Sequence, residues 1–304
     1  MKNQRILTVL FAACIAIAGC VPSATDQPKA PSDKYFVRNV IDGDTIELRN
    51  GRKVRYIGID TPEVRKRMGG RWQYLPEPYA EDAKRHNLYA VGKKWVRLEF
   101  DEQKEDKYGR WLAYVYDDDK MINEELLKEG LATLYVIPPN DKYIELFADA
   151  QSQARAEKKG IWKDLKTIFS EDAENNAEKV RVVRGKVLAI SRTKRVLVLN
   201  LSGGFNVVIF SRNLVYFEKE GIFPARDYTG KFIEVVGKIK YVDGPSMIID
   251  HPSQITILDY SNAPSILTQC SIPANAGISL TITPIPINTY IPLRMKKITT
   301  FILH

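Results

Sequence analysis

Cysteine is scarce in this chain of 304 residues: there are three, Cys14, Cys20 and Cys270. Two of them fall in the first twenty positions, which excludes a disulfide framework and a cysteine metal site. Long apolar runs are lacking as well. The stretch Ile6 to Ala18 is too short for a spanning helix, and behind Lys2 and Arg5 it reads as a targeting segment rather than as part of the fold. Acids are outnumbered, with 37 Asp and Glu against 45 Lys and Arg, for a net charge of +8. That balance favours polyanionic partners only weakly, since many basic proteins bind none. Charge nearly vanishes between Ser261 and Arg294, where periodicity is also poor, so residues 261–304 read as an irregular tail with Cys270 unpaired.

What is present is enough apolar material, 44% of the chain, for two cores of ordinary size. The targeting segment ends Ile17-Ala18-Gly19-Cys20, which resembles the bacterial lipoprotein signal, in which the cysteine is lipidated. The rival is an ordinary secretory signal over residues 1–20 with an incidental cysteine. The resemblance implies anchoring in the cell envelope through Cys20. Val21 in place of aspartate favours the outer membrane if the cell has two. Residues 21–34 then form a Pro- and Ser-containing tether.

The informative stretch is Arg55-Tyr-Ile-Gly-Ile-Asp-Thr-Pro-Glu63. Pro62 stops strand pairing, so Asp60 and Glu63 stand at the end of a strand that also carries an arginine. Acids beside a fixed cation suit a hard metal ion and a phosphate. Alone, the stretch reads equally as a strand and a solvated turn. Upstream, Asp42-Gly43-Asp44 places two acids on one side of an extended chain. Asn50-Gly51 is a type I′ hairpin signal that brings the next strand back. Arg55 and Asp60 are an odd number of residues apart, so both reach one site only if the chain bulges between them, near Gly58.

Val64 to Pro78 reads as a loop whose Arg65, Lys66, Arg67, Arg71, Trp72 and Tyr74 offer charge and stacking to a nucleic-acid strand; a solvated loop pinned by Trp72 is the rival. Helices are expected over 81–91, 122–129 and 143–158, and strands over 95–100 and 111–116. Ile161-Trp162 is expected to tuck back onto the first core. Three strands, a helix, two strands and two helices fit a five-stranded oligonucleotide-binding (OB-like) barrel with helices packed on it. After a linker at 166–179, the strands of 180–260 suggest a second OB-like barrel, so the fold class is mainly β with helices. The second barrel has no paired acids with an arginine. It reads as a binding module, with nucleic acid preferred over dimerisation or an envelope contact.

Over residues 35–165 the chain resembles the staphylococcal nuclease (thermonuclease) family. The resemblance rests on Val40-Ile-Asp-Gly-Asp-Thr45, Arg55 to Glu63, Asp106-Lys-Tyr-Gly-Arg110, Asn123-Glu124, Gly130-Leu-Ala132 and Gly160-Ile-Trp162. It implies Ca²⁺ held by Asp44, Asp60 and the carbonyl of Thr61, with Asp42 in support. It implies Glu63 as the acid that activates water and Arg55 and Arg110 as phosphate-gripping catalytic residues. Lys107, Tyr108 and Tyr135 would contact the nucleotide. Ile137 departs from the family pattern, which has a second tyrosine there. The implied activity is endonucleolytic hydrolysis of DNA and RNA to 3′-phosphates, outside the cytoplasm; no protein partner is implied. The alternative is an envelope nucleic-acid-binding protein without turnover. A weaker one makes the second barrel the functional centre.

Overall fold

Alternating apolar side chains set the first strands: Val37, Ile46, Leu48, Val54 and Tyr56 are all at 2% exposure or less and face one core. The computed structural model describes residues 34–241 and 243–258. The signal-like segment with Cys20, the tether up to residue 33 and the tail with Cys270 lie outside the described residues.

The first half runs β1 (Lys34–Val40), β2 (Thr45–Leu48), β3 (Lys53–Tyr56), β4 (Ile59–Asp60), β5 (Arg65–Met68), β6 (Arg71–Tyr74), α1 (Ala80–Val91), β7 (Trp95–Glu99), β8 (Trp111–Asp117), β9 (Lys120–Met121), α2 (Ile122–Lys128), β10 (Thr133–Leu134) and α3 (Ile144–Ala156). The second half runs β11 (Thr167–Phe169), β12 (Val180–Arg192), β13 (Val196–Leu201), β14 (Asn206–Phe210), α4 (Leu214–Lys219), α5 (Pro224–Asp227), β15 (Phe232–Tyr241), β16 (Pro245–Ile248) and β17 (Ile255–Leu258). In the first half the order β3-β2-β1-β7-β8 closes through a parallel β3–β8 pairing, which makes a five-stranded barrel. In the second, β12-β13-β14-β16-β15 closes through β15–β12, with β11 and β17 added at the sides. Both halves are OB-like barrels, as expected.

Several local expectations are corrected. The chain does turn back at Asn50-Gly51, but only Gly51 takes a positive φ, 83°. Gly51 N donates to Leu48 O at 3.0 Å and Leu48 N to Arg52 O at 2.8 Å, a three-residue loop with glycine at the left-handed position rather than type I′. Asp42-Gly43-Asp44 is a bend between β1 and β2, not an extended segment. Residues 64–78 are not a plain loop. They hold the β5–β6 hairpin, turned by Gly69 and Gly70, both at positive φ, where a left-handed pair costs glycine nothing. Residues 166–179 are not a bare linker, since β11 pairs in parallel with β12.

Trp162 does not return to the first core. It packs with Ala154 from the first half and with Val182 and Val236 from the second barrel. Tyr216 of α4, conversely, belongs to the first core, and its hydroxyl donates to Asp141 Oδ2 at 2.7 Å. Tyr216 thus crosses into the first core, while Trp162 sits in a small cluster shared by the two halves. No helix among the described residues is long and apolar enough to cross a membrane.

Candidate active site

The chain breaks at Ile57-Gly58, where Gly58 takes φ 81°. Strand β3 ends at Tyr56 and β4 resumes at Ile59, pairing now with β10 instead of β2. This change of direction answers the parity problem of Arg55 and Asp60. Arg55 Nη2 donates to Asp60 Oδ1 at 2.8 Å. The ring of Phe147 lies where a Gly58 side chain would stand, with Cε2 2.5 Å from a Cβ built there, so only glycine fits. Asn123 of α2 braces the break: its Nδ2 donates to Ile57 O at 2.8 Å and its Oδ1 accepts from Val115 N at 2.9 Å.

The bend at Gly43 seats Asp44 against the end of β4. A Cβ on Gly43 would lie 2.7 Å from Thr61 Oγ1 and 2.8 Å from Ala83 Cβ, so the approach requires glycine. Asp44 Oδ2 accepts from Thr61 N at 2.8 Å and Thr61 Oγ1 at 2.9 Å, and pairs with Arg55 Nη1. Its Oδ1 accepts from Thr45 Oγ1 at 3.1 Å. Arg55 thus forks between two aspartates with its side chain 13% exposed, a bidentate use of guanidinium that lysine cannot copy.

Negative charge exceeds positive here. Asp42, Asp44, Asp60 and Glu63 all act on the single guanidinium of Arg55 and together raise its pKa against the effect of burial. Loss of water pushes the Asp42 carboxyl up to about 7, and the charge of Asp44 adds to it. Asp60 and Glu63 are raised for the same first reason, helped by neighbouring carboxylates and opposed by Arg55. A cluster of oxygen donors short of positive charge fits a hard divalent cation such as Ca²⁺. Asp44, Asp60 and the carbonyl of Thr61 could hold such an ion, with Asp42 behind.

Arg110 enters from the neighbouring strand. β8 begins one residue later and runs parallel to β3, with Leu112 opposite Arg55. Asp106 organises its turn by accepting from Tyr108 N at 2.9 Å, Arg110 N at 3.0 Å and Arg110 Nε at 2.7 Å. These contacts to Arg110 hold the Asp106 carboxyl below the usual carboxylate range although burial works against them. Among the described residues the Arg110 guanidinium hydrogen-bonds through Nε and lies 5.7 Å from the Tyr108 ring centroid, and neither Nη makes a hydrogen bond. Tyr108 is exposed and carries Lys107 Nζ 5.0 Å from its ring centroid. Tyr135 is 39% exposed, within electrostatic reach of Asp60 and Arg55, and its N donates to Gly58 O at 3.0 Å. Ile137, at the departure from the family pattern, is exposed.

Sequence reasoning missed three supporting residues, Asn87, Glu77 and Lys238. Asn87 of α1 is fully buried; it donates to Asp42 O at 3.1 Å and accepts from the Tyr56 hydroxyl at 2.8 Å. A polar residue on the inner face of a helix was the available signal. Glu77 holds the loop of Glu63: Glu77 N donates to Glu63 O at 2.9 Å, and Glu63 N to Glu77 Oε2 at 3.3 Å. Glu77 Oε1 is in turn gripped by Lys66 at 3.0 Å and by Lys238 of the second barrel at 2.5 Å. Nothing in the sequence pairs positions 77 and 238.

Residues 53–164 match the family described as "Staphylococcal nuclease homologue". The chain is 41% identical over 150 residues to a thermonuclease of Staphylococcus intermedius, covering 48% of this chain and 86% of that protein. It is 47% identical over 144 residues to Endonuclease YncB of Bacillus subtilis, covering 44% of this chain and 66% of the relative. It is also 47% identical over 127 residues to the SPbeta prophage-derived endonuclease YokF of Bacillus subtilis, covering 40% of this chain and 41% of that protein. The chain thus spans less than two thirds of the length of either Bacillus relative.

Proposed function

Because this chain belongs to the staphylococcal nuclease family, we propose that it is a Ca²⁺-dependent endonuclease that hydrolyses DNA and RNA to 3′-phosphates. The observation that carries this reading is the Arg55 fork between Asp44 and Asp60, set among four carboxylates with Arg110 on the adjoining strand. A protein that only bound nucleic acid would have no use for clustered acids, which repel phosphate.

When bound, Ca²⁺ would supply positive charge beside the scissile phosphate and order water there. The chain's own residues do the rest. Glu63, at the rim with its proton affinity raised, takes the proton of the attacking water. The new bond forms between the water oxygen and phosphorus, and the bond from phosphorus to the 5′ oxygen breaks. That oxygen leaves as a hydroxyl with a proton from solvent water, while Glu63 returns its own to solvent. Arg55 and the free Nη groups of Arg110 hold the non-bridging oxygens as charge builds on them, a contribution of about 3 kcal/mol or more per clamp. Tyr108, Lys107 and Tyr135 offer exposed surface to the nucleotide, and the β5–β6 hairpin offers cations and Trp72 to the strand beyond.

Anchoring in the cell envelope through a lipid on Cys20 is part of the same proposal and rests on the sequence alone. Loss of labelled fatty acid from a Cys20→Ser variant tests it; retention of the label refutes it. Protein lacking residues 1–20 is expected to digest nucleic acid with Ca²⁺ and to stop with chelator. Chelator-insensitive cleavage, or undiminished activity in Glu63→Ala and Arg110→Ala, contradicts the mechanism.

A further inference from the structure

At the seam between the barrels, a buried ring nitrogen of His251 makes no hydrogen bond and has only a long contact to a carboxylate. His251 stands just before the 3₁₀ turn Pro252–Gln254 and is 2% exposed. Its Nδ1 accepts from Ser253 N at 3.3 Å, which caps the turn, and lies 3.1 Å from Ser253 Oγ. Its Nε2 is buried and makes no hydrogen bond. It faces Glu145 Oε2 at 3.5 Å. Glu145 is in the first turn of α3, in the first half, and Glu220 follows α4, in the second. One ligand atom from each of Glu145, Glu220 and His251 lies within 4.8 Å of the others.

The His251–Glu145 spacing is long for a hydrogen bond. It is close to the spacing of two ligands on one zinc ion, where bonds of about 2.1 Å put tetrahedral donors about 3.4 Å apart. Both carboxylates are exposed on long side chains and can close the remaining gap, whereas the imidazole is fixed by its packing. Asp149, one turn beyond Glu145 on α3, adds negative charge around the ring.

We propose that His251 Nε2, Glu145 and Glu220 bind a divalent transition-metal ion of the zinc class that ties the two barrels together. The imidazole separates this site from the all-oxygen cluster around Asp44, because nitrogen ligands favour zinc-like ions over calcium. Metal binding uses the Nε2 lone pair, so the ring proton must move to Nδ1, which then gives up the bond from Ser253 N and donates to Ser253 Oγ instead. Water fills the remaining positions.

The test is titration of the whole chain with Zn²⁺ and with Co²⁺ by calorimetry and visible absorption, alongside ring-nitrogen NMR. The expected result is one tightly bound ion per chain, cobalt bands of a four-coordinate site, and transfer of the His251 proton from Nε2 to Nδ1 on adding zinc. His251→Gln should abolish that site. The double variant Glu145→Gln/Glu220→Gln changes only exposed side chains, so it keeps the fold. It should weaken the site more than tenfold and decides the matter if His251→Gln misfolds. Zinc binding unchanged in the double variant, or an Nε2 proton that persists at saturating zinc, overturns the proposal.

Discussion

Replacing Lys238 by methionine tests whether the second barrel contributes to the chemistry of the first. Lys238 and Glu77 have side chains 23% and 11% exposed, so the pair is poorly screened. A charge-assisted hydrogen bond of this kind contributes about 1.5–3 kcal/mol. Lys66 still holds the same oxygen at 3.0 Å, which puts the loss at the lower end, about 1.5 kcal/mol. If that free energy is what keeps the Glu63 loop in place, its loss converts to about a tenfold fall in kcat. KM should change little, since no cation expected to touch substrate is removed. Lys238→Arg should recover most of the loss, because it restores the charge. The assay is Ca²⁺-dependent digestion with kcat and KM separated, next to thermal unfolding. A variant that melts earlier yet keeps its kcat would reduce the contact to mere interdomain support and refute the reasoning.

Other perturbations follow from the site. Arg55→Lys can meet only one of Asp44 and Asp60, so kcat should fall at least a hundredfold while far-ultraviolet dichroism stays native; a fall under tenfold would contradict the fork. Trp72→Ala on the exposed hairpin should raise KM by about tenfold with kcat unchanged, the value of one stacked base, and equal KM values would remove the hairpin from the substrate path. Gly43→Ala must displace Thr61 or α1, so both stability and Ca²⁺ affinity should drop, as unfolding and calcium titration would show. Asp106 has a lowered folded pKa, so its contribution to stability is present above the unfolded value of 3.8 and is lost as pH falls through the folded one. Asp106→Asn should therefore flatten the acid limb of the unfolding curve and weaken catalysis through Arg110. An unchanged acid limb would mean that its bonds to the Tyr108–Arg110 turn carry no linkage.

Much of this was legible because it is local. Apolar alternation marked β2, β3, β7 and β8, and the acids of 42–44 and 60–63 fall where strands end. Gly58 was the right place to look for the bend, since only a left-handed residue could redirect Asp60 toward Arg55. The misses were non-local. β5 and β6 bury no side chain and are rich in cations, so they read as loop, although Gly69-Gly70 is a hairpin turn. β11 has three residues and exists through its pairing with β12. Trp162 resembles a core anchor from its flanks, but it sits in a separate cluster with Val182 and Val236, which the local sequence does not identify.

The bond between Lys238 and Glu77 joins positions 161 residues apart. A ribosome delivers Glu63, Arg55 and Arg110 long before it delivers β15. The barrel that carries the acids can close early, yet the loop of Glu63 gains its second anchor, and the first core gains Tyr216, only when most of the chain exists. On the function proposed here, full cutting power would then arrive late in the life of each polypeptide. A truncated product, released before β15, would carry every acid and arginine of the centre and still be a poor enzyme.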